Sequence, residues 1–183
     1  MIEEIVQKQR AYYFEGHTRS LDARREVLRK LRKILLDMHQ DIYDAFKLDY
    51  NKCEFDVIST EYSLVIQEID FMLHHLKKFM KPRRVATSLV NIVSSGYIYK
   101  EPYGVTLVMS PWNYPLQLAM VPVVAALAAG NTVVLKPSKY AWNVSLVLQK
   151  IASYFDSRLF SVVVGGREEN QALLNQKFDF IFF

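Results

Sequence analysis

Leu28, Leu31, Leu35, Met38, Ile42 and Ala45 recur at spacings of three and four, the repeat that lines one face of an α-helix. Ser20 stands before this stripe with Asp22 just inside it, so the pattern predicts a long helix with a hydroxyl N-cap and a carboxylate near its positive end. Ile58, Tyr62, Val65, Ile69, Leu73, Leu76 and Phe79 form a second stripe. Lys77, Lys78 and Lys81 favour the negative end of that helix, and Pro82, which has no amide to continue the ladder, marks its stop. Residues 1–81 are therefore expected to be a helical part built around two long helices.

The pattern then changes twice. Residues 82–101 form a basic, Ser-containing connector that runs into alternating Tyr97 and Tyr99, the mark of an extended arm or hairpin strand. From residue 102 onward, short β-branched runs alternate with helical ones. Strand Gly104–Met109 is followed by helix Leu116–Ala129, strand Thr132–Leu135, helix Val144–Phe155, strand Phe160–Val164, a short helix near Glu168–Asn175 and strand Phe178–Phe183. Such alternation defines an α/β fold with βαβ units and a parallel sheet over 102–183. Pro115 suits the first turn of its helix, Gly130 its left-handed exit, and Pro122 is expected to bend the interior. Phe178-Asp-Phe-Ile-Phe-Phe has the composition of a buried central strand, but no neighbour follows it in this chain.

Composition narrows the class without naming it. With 51% hydrophobic and 23% charged residues, the 183-residue chain has the make-up of a globular protein with a core. The net charge of +4 is spread over helix faces such as Arg24-Arg25, Arg29-Lys30 and Arg32-Lys33, interspersed with acids and joined to no nucleic-acid module, so a solvated surface is the expectation. The longest apolar stretch, Leu116–Ala129, contains Gln117 and Pro122 and falls short of the about 20 residues that span a bilayer. The opening Met-Ile-Glu-Glu-Ile carries no positive n-region or apolar h-region, and the single cysteine forms no internal disulfide; a cytoplasmic location is expected.

The candidate chemistry lies at two strand ends. Ser110-Pro111-Trp112-Asn113-Tyr114-Pro115 leaves the first strand of the alternating region, and Lys136-Pro137-Ser138 leaves the second. An amide and an ammonium thus stand at the carboxyl ends of neighbouring strands, where open α/β sheets place ligands. Each has a plainer explanation in isolation. Asn113 is a preferred N-cap residue, Lys-Pro-Ser makes an ordinary exposed turn, and Gly165-Gly166 serves a strand-to-helix turn as well as a close approach to a ligand.

Taken together, the two turns resemble the aldehyde dehydrogenase superfamily, most nearly its class 3-like members. Gln9-Arg10-Ala11-Tyr12-Tyr13-Phe14, Glu61-Tyr62, Glu68-Ile69-Asp70, Lys81-Pro82-Arg83-Arg84 and Glu101-Pro102-Tyr103-Gly104-Val105 extend the resemblance along nearly the whole chain. The resemblance implies a Rossmann-like cofactor domain with N-terminal helices, an oligomerising arm and a homo-oligomer. It also implies a catalytic domain carrying a cysteine and a general base that these residues do not contain, so the cofactor domain is expected to be incomplete at its C-terminus.

In such an enzyme a cysteine thiolate attacks an aldehyde, hydride passes to NAD or NADP, and the thioester is hydrolysed to a carboxylate. The resemblance assigns Asn113 to stabilising the oxyanion and Lys136 to the cofactor ribose. Ser110 and Trp112 would line the cofactor, Ser138 would approach its adenosine half, and Gly165 would allow close backbone approach. Lys139 departs from the family pattern, in which many members place an acid there. A second ammonium removes a carboxylate that would repel a 2′-phosphate, which opens the site to NADP; the alternative is a solvent-facing lysine.

Cys53 lies between the two predicted helices with no histidine or glycine turn beside it, which marks it as a structural or surface thiol. His74 and His75, adjacent on a helix, point about 100° apart, and His17 and His39 supply no metal-ligand spacing. A second class of function stays open: a non-catalytic binding or assembly module that complements a separate C-terminal polypeptide or docks on an intact relative through its arm.

Overall fold

The computed structural model describes residues 2–88, 90 and 93–183. Its first element is a helix that the apolar spacing does not predict, α1 (Ile2–Phe14). The fully buried Gln9 anchors it, because its Nε2 donates to the carbonyls of Val133 at 2.9 Å and Ser157 at 3.2 Å. Ser20 behaves as expected: its hydroxyl accepts from the Ala23 amide at 3.1 Å and opens α2 (Leu21–Asp37).

The first apolar stripe is continuous, but the helix is not. Met38, with φ −102° and ψ 14°, separates α2 from α3 (His39–Tyr50). Backbone bonds bridge the break, from Met38 to Ile34 and from Ile42 to Met38, while the His39 ring sits 2.9 Å from the Leu36 carbonyl. All six stripe residues are buried, so one face is preserved across two helices. The second stripe is also subdivided, into α4 (Glu54–Val57), a π-helical turn over Ile58–Tyr62 and α5 (Ser63–Met80), which stops before Pro82 as predicted.

Within the connector, β1 (Arg83–Val85) pairs antiparallel with β2 (Gly96–Ile98), Arg84 opposite Tyr97; the expectation of an extended arm over 82–101 also covers Leu89, Asn91 and Ile92, which lie outside the described residues. The parallel sheet follows, with β3 (Val105–Met109), α6 (Gln117–Ala129), β4 (Thr132–Lys136), α7 (Trp142–Ser153), β5 (Phe160–Val162), α8 (Arg167–Leu174) and β6 (Phe180–Phe182) in the predicted order. Gly130 ends α6 at φ 93°, and a Cβ there would meet the buried Arg24 guanidinium at 2.6 Å. Pro122 lies within α6, which continues through it although proline offers no amide to the ladder.

The strands run in the order β5-β4-β3-β6. Successive residues face opposite layers, as a two-residue side-chain period requires. Val108, Val133 and Leu135 join the large core shared with α2, α5, α6 and α7, whereas Leu107 and Val134 pack with Leu173 of α8 and with Ile2 and Ile5 of α1. Among the described residues β6 pairs with β3 alone. Instead of being buried like a central strand, its residues are about half exposed: Phe180 at 42%, Ile181 at 46% and Phe182 at 43%. The chain builds outward from β3 through β4 to β5 and then returns past β3 to β6, so the strand order reverses at β3. In open α/β sheets, ligands bind beside the carboxyl ends of strands at such a reversal.

Candidate functional site

Met109 is level with Lys136 in the β3–β4 register, so the chains leave the sheet together. The last rung is the bond from the Ser110 amide to the Lys136 carbonyl at 3.1 Å. β-branched and leucine residues on both strands bury this end of the sheet, and Pro137 follows at the point where β4 leaves the ladder. Lys136 is only 3% exposed, and its Nζ donates to the carbonyls of Pro137 and Gly165, each at 2.8 Å. Burial lowers the Lys136 pKa, and the charge of Glu169 partly opposes that shift. The ammonium therefore ties the end of β4 to the loop after β5.

A cavity of about 330 Å³ opens there, and Ser110, Lys136, Ser138, Lys139 and Gly165 all line it. Five of the sequence-predicted residues thus converge on one space. Two wall atoms, Ser110 Oγ and Asn170 Oδ1, are buried without a hydrogen-bond partner. Buried polar atoms are seldom left so, and both suit a polar ligand. Gly165 has φ 144°, and a Cβ on it would run into the Glu169 carboxylate. That carboxylate accepts from the Gly166 amide at 2.6 Å and closes the start of α8. Arg167 and Lys139, both exposed, give the cavity wall two cations besides Lys136.

Trp112 and Asn113 do not line this cavity; both are exposed on the turn beyond Ser110. Asn113 is not a helix cap. Pro115 and Leu116 belong to the turn, α6 begins at Gln117, and the acceptor at its start is the Glu61 carboxylate, whose Oε2 takes the Leu116 amide at 2.9 Å and the Gln117 amide at 3.4 Å. Pro115 stands two residues before α6, inside a turn closed by the Leu118 amide on the Tyr114 carbonyl at 2.9 Å. The Asn113 carboxamide makes no hydrogen bond among the described residues. Cys53, exposed before α4, also forms no side-chain cap.

Arg167 and Asn170 escaped sequence reasoning, because only the helical turn of α8 brings them to the strand ends. The one local hint is Glu169 three residues after Gly166, the spacing of a capping box. No helix among the described residues is long and apolar enough to cross a membrane, and no cluster of three or more His, Cys, Asp or Glu among them is placed to hold a metal ion.

The sequence model of the aldehyde dehydrogenase family matches residues 1–183, and the chain belongs to that family. Its curated relatives include class 3 members: aldehyde dehydrogenase family 3 member B1 of Mus musculus is 40% identical over 182 residues, 99% of this chain and 39% of the relative. Among solved structures, the substrate-bound state of Staphylococcus aureus AldH superposes with a TM-score of 0.97 at 35% identity, over all of this chain and 40% of that one. Glyceraldehyde-3-phosphate dehydrogenase GapN from Methanocaldococcus jannaschii, complexed with NADP, shares the fold at TM-score 0.79 and 15% identity. The chain thus spans about two fifths of the length of these proteins, resembles class 3 over the front portion and has their α/β architecture.

Proposed function

We propose that these residues form the N-terminal cofactor-domain portion of an enzyme that oxidises aldehydes to carboxylic acids with NAD or NADP. The observation that carries the reading is the convergence of Ser110, Lys136 and Gly165 on one cavity at the strand-order reversal, with Ser110 Oγ and Asn170 Oδ1 buried there and unpartnered. The wall suits a dinucleotide: Lys136 and Ser138 would take ribose hydroxyls, Ser110 and Asn170 polar edges, and Gly165 a close backbone approach. The bound cofactor would supply the hydride acceptor. Trp112 would cover its outer side, and Asn113 would donate to the substrate oxygen.

Lys139 and Arg167 direct the reading toward a 2′-phosphate. Lys139→Glu, in the complete enzyme, is expected to shift preference from NADP toward NAD, because a carboxylate would replace an ammonium beside a phosphate. Added salt is expected to shrink the effect at this exposed position. Equilibrium titration of both cofactors at two ionic strengths checks it; an unchanged affinity ratio would remove Lys139 from the cofactor site.

The 183-residue polypeptide on its own is expected to show no aldehyde-dependent reduction of NAD(P), since its cysteine, Cys53, is exposed and stands outside the cavity. Cys53→Ala is expected to change nothing in the complete enzyme. Cysteine-dependent turnover by the purified polypeptide of verified mass would sink this reading. The half-exposed β6 edge favours a second one, an assembly module that pairs with a separately encoded C-terminal polypeptide. The reading frame after Phe183 separates the two.

A further inference from the structure

The turn bearing Asn113 is gripped on both sides by residues from one stretch of chain, Tyr50 to Glu61. Tyr50, the last residue of α3, donates its hydroxyl to the Trp112 carbonyl at 2.7 Å. Glu61 accepts from the Leu116 and Gln117 amides. Between them Lys52 donates to Glu61 Oε1 at 2.8 Å and to Thr60 Oγ1 at 3.0 Å, and its Nζ lies 5.2 Å from the Tyr114 ring centroid. Residues 112, 114, 116 and 117 are each held, while the side chain of 113 stands free among them.

Glu61 lies on the buried face of its helix. Val57, Glu61 and Val65 are spaced by four and all have 0% exposure. Residues four apart lie on one face of a helix, so this acid shares the buried face of the two valines. A π-helical turn covers Ile58–Tyr62 and includes Glu61, and such turns occur often at functional sites. A carboxylate buried this completely is balanced by Lys52 and by the positive end of α6. Burying an ion pair is not an efficient way to stabilise a core, and its best-attested use is to fix one arrangement. Burial, with the charges of Asp49 and Glu61, raises the Tyr50 pKa to about 12, so its hydroxyl remains a donor at any working pH.

We propose that Tyr50, Lys52 and Glu61 are positioning residues: they clamp the 112–117 turn so that the Asn113 carboxamide is presented in one orientation to the substrate oxygen. The proposal rests on the assignment of Asn113 as the oxyanion donor. Its energetic logic is that a donor displaced by about 1 Å loses on the order of 100-fold in rate.

The test is a mutant cycle in the complete enzyme, read by single-turnover acylation. Tyr50→Phe removes one hydroxyl and leaves the packing intact. It is expected to slow acylation roughly 10- to 100-fold, and to add no further loss to Asn113→Ala, where no donor remains to be misplaced. Equal slowing on both backgrounds, or none on the wild type, would overturn the positioning role. Amide hydrogen exchange reads the clamp independently of kinetics: Lys52→Met and Glu61→Gln are expected to speed exchange at Leu116 and Gln117, and unchanged exchange in both would overturn the clamp itself. If Asn113→Ala alone leaves acylation at the wild-type rate, the oxyanion assignment fails and takes the positioning role with it. The exchange result then still reports whether the clamp exists, so the two failures are distinguishable.

Discussion

Asn113→Ala in the complete enzyme is expected to slow acylation of the nucleophile by about 100- to 1000-fold, the usual cost of losing one oxyanion donor. Cofactor affinity is expected to stay near wild type, because the side chain lies outside the cavity that Lys136 and Ser110 line. The structure sharpens this prediction by removing the competing explanation. Had Asn113 capped α6, its loss would cost about 1 kcal/mol of stability. The cap is Glu61, so Asn113→Ala is expected to leave the thermal midpoint unchanged while the chemical step collapses. A donor used mainly in the transition state affects the rate constant and leaves ground-state affinity alone. Single-turnover kinetics beside thermal melts decide the matter: a wild-type acylation rate would end the oxyanion assignment, and a lowered midpoint would show that the turn depends on Asn113 for its own structure.

Features encoded by neighbouring residues were legible in the chain; features made by distant contacts were not. The alternation from β3 to β6 could be read because the strands are short apolar runs, β3 and β4 set off by Gly104, Asn131 and Pro137, and the helices α6 and α7 are longer runs, apolar after Gln117 in α6 and spaced by three and four in α7. Ser110, Lys136, Ser138, Lys139 and Gly165 could be placed together because all five sit at or just beyond strand ends, where a parallel sheet gathers them. The first helix was not legible: its inward face carries a glutamine at position 9, polar in sequence yet fully buried because it bonds carbonyls 124 and 148 residues away. The break at Met38 left no trace, since a buried methionine continues the stripe across it. The part of the site with the least local signature is Tyr50, Lys52 and Glu61, which act on a turn 55 to 62 residues further on. A lone Glu in a helical stripe reads as a solvent-facing acid; here it is buried because it bonds Lys52 and the Leu116 amide.

Lys136→Met in the complete enzyme is expected to weaken cofactor binding by roughly 10- to 100-fold, the range set by losing a hydrogen bond from a charged donor worth about 1.5–3 kcal/mol. Methionine keeps the apolar stem that β4 buries and removes only the ammonium, so the carbonyls of Pro137 and Gly165 lose their shared donor and the link from β4 to the post-β5 loop is cut. The pH dependence gives the assignment its sign. Burial holds the folded-state pKa of Lys136 below the ordinary 10.5. Between the folded value and 10.5, the unfolded chain therefore binds more protons than the folded one, and folding stability rises with pH across that window. Cofactor affinity moves the opposite way, because the same deprotonation removes the charge that the ribose and phosphates meet. Wild-type enzyme is thus expected to gain stability relative to Lys136→Met, and to lose affinity relative to it, as pH rises through that window. Paired melts and cofactor titrations on both proteins test this. Parallel affinity profiles for wild type and Lys136→Met would leave Lys136 as a tie between β4 and the Gly165 loop, with no part in holding the cofactor.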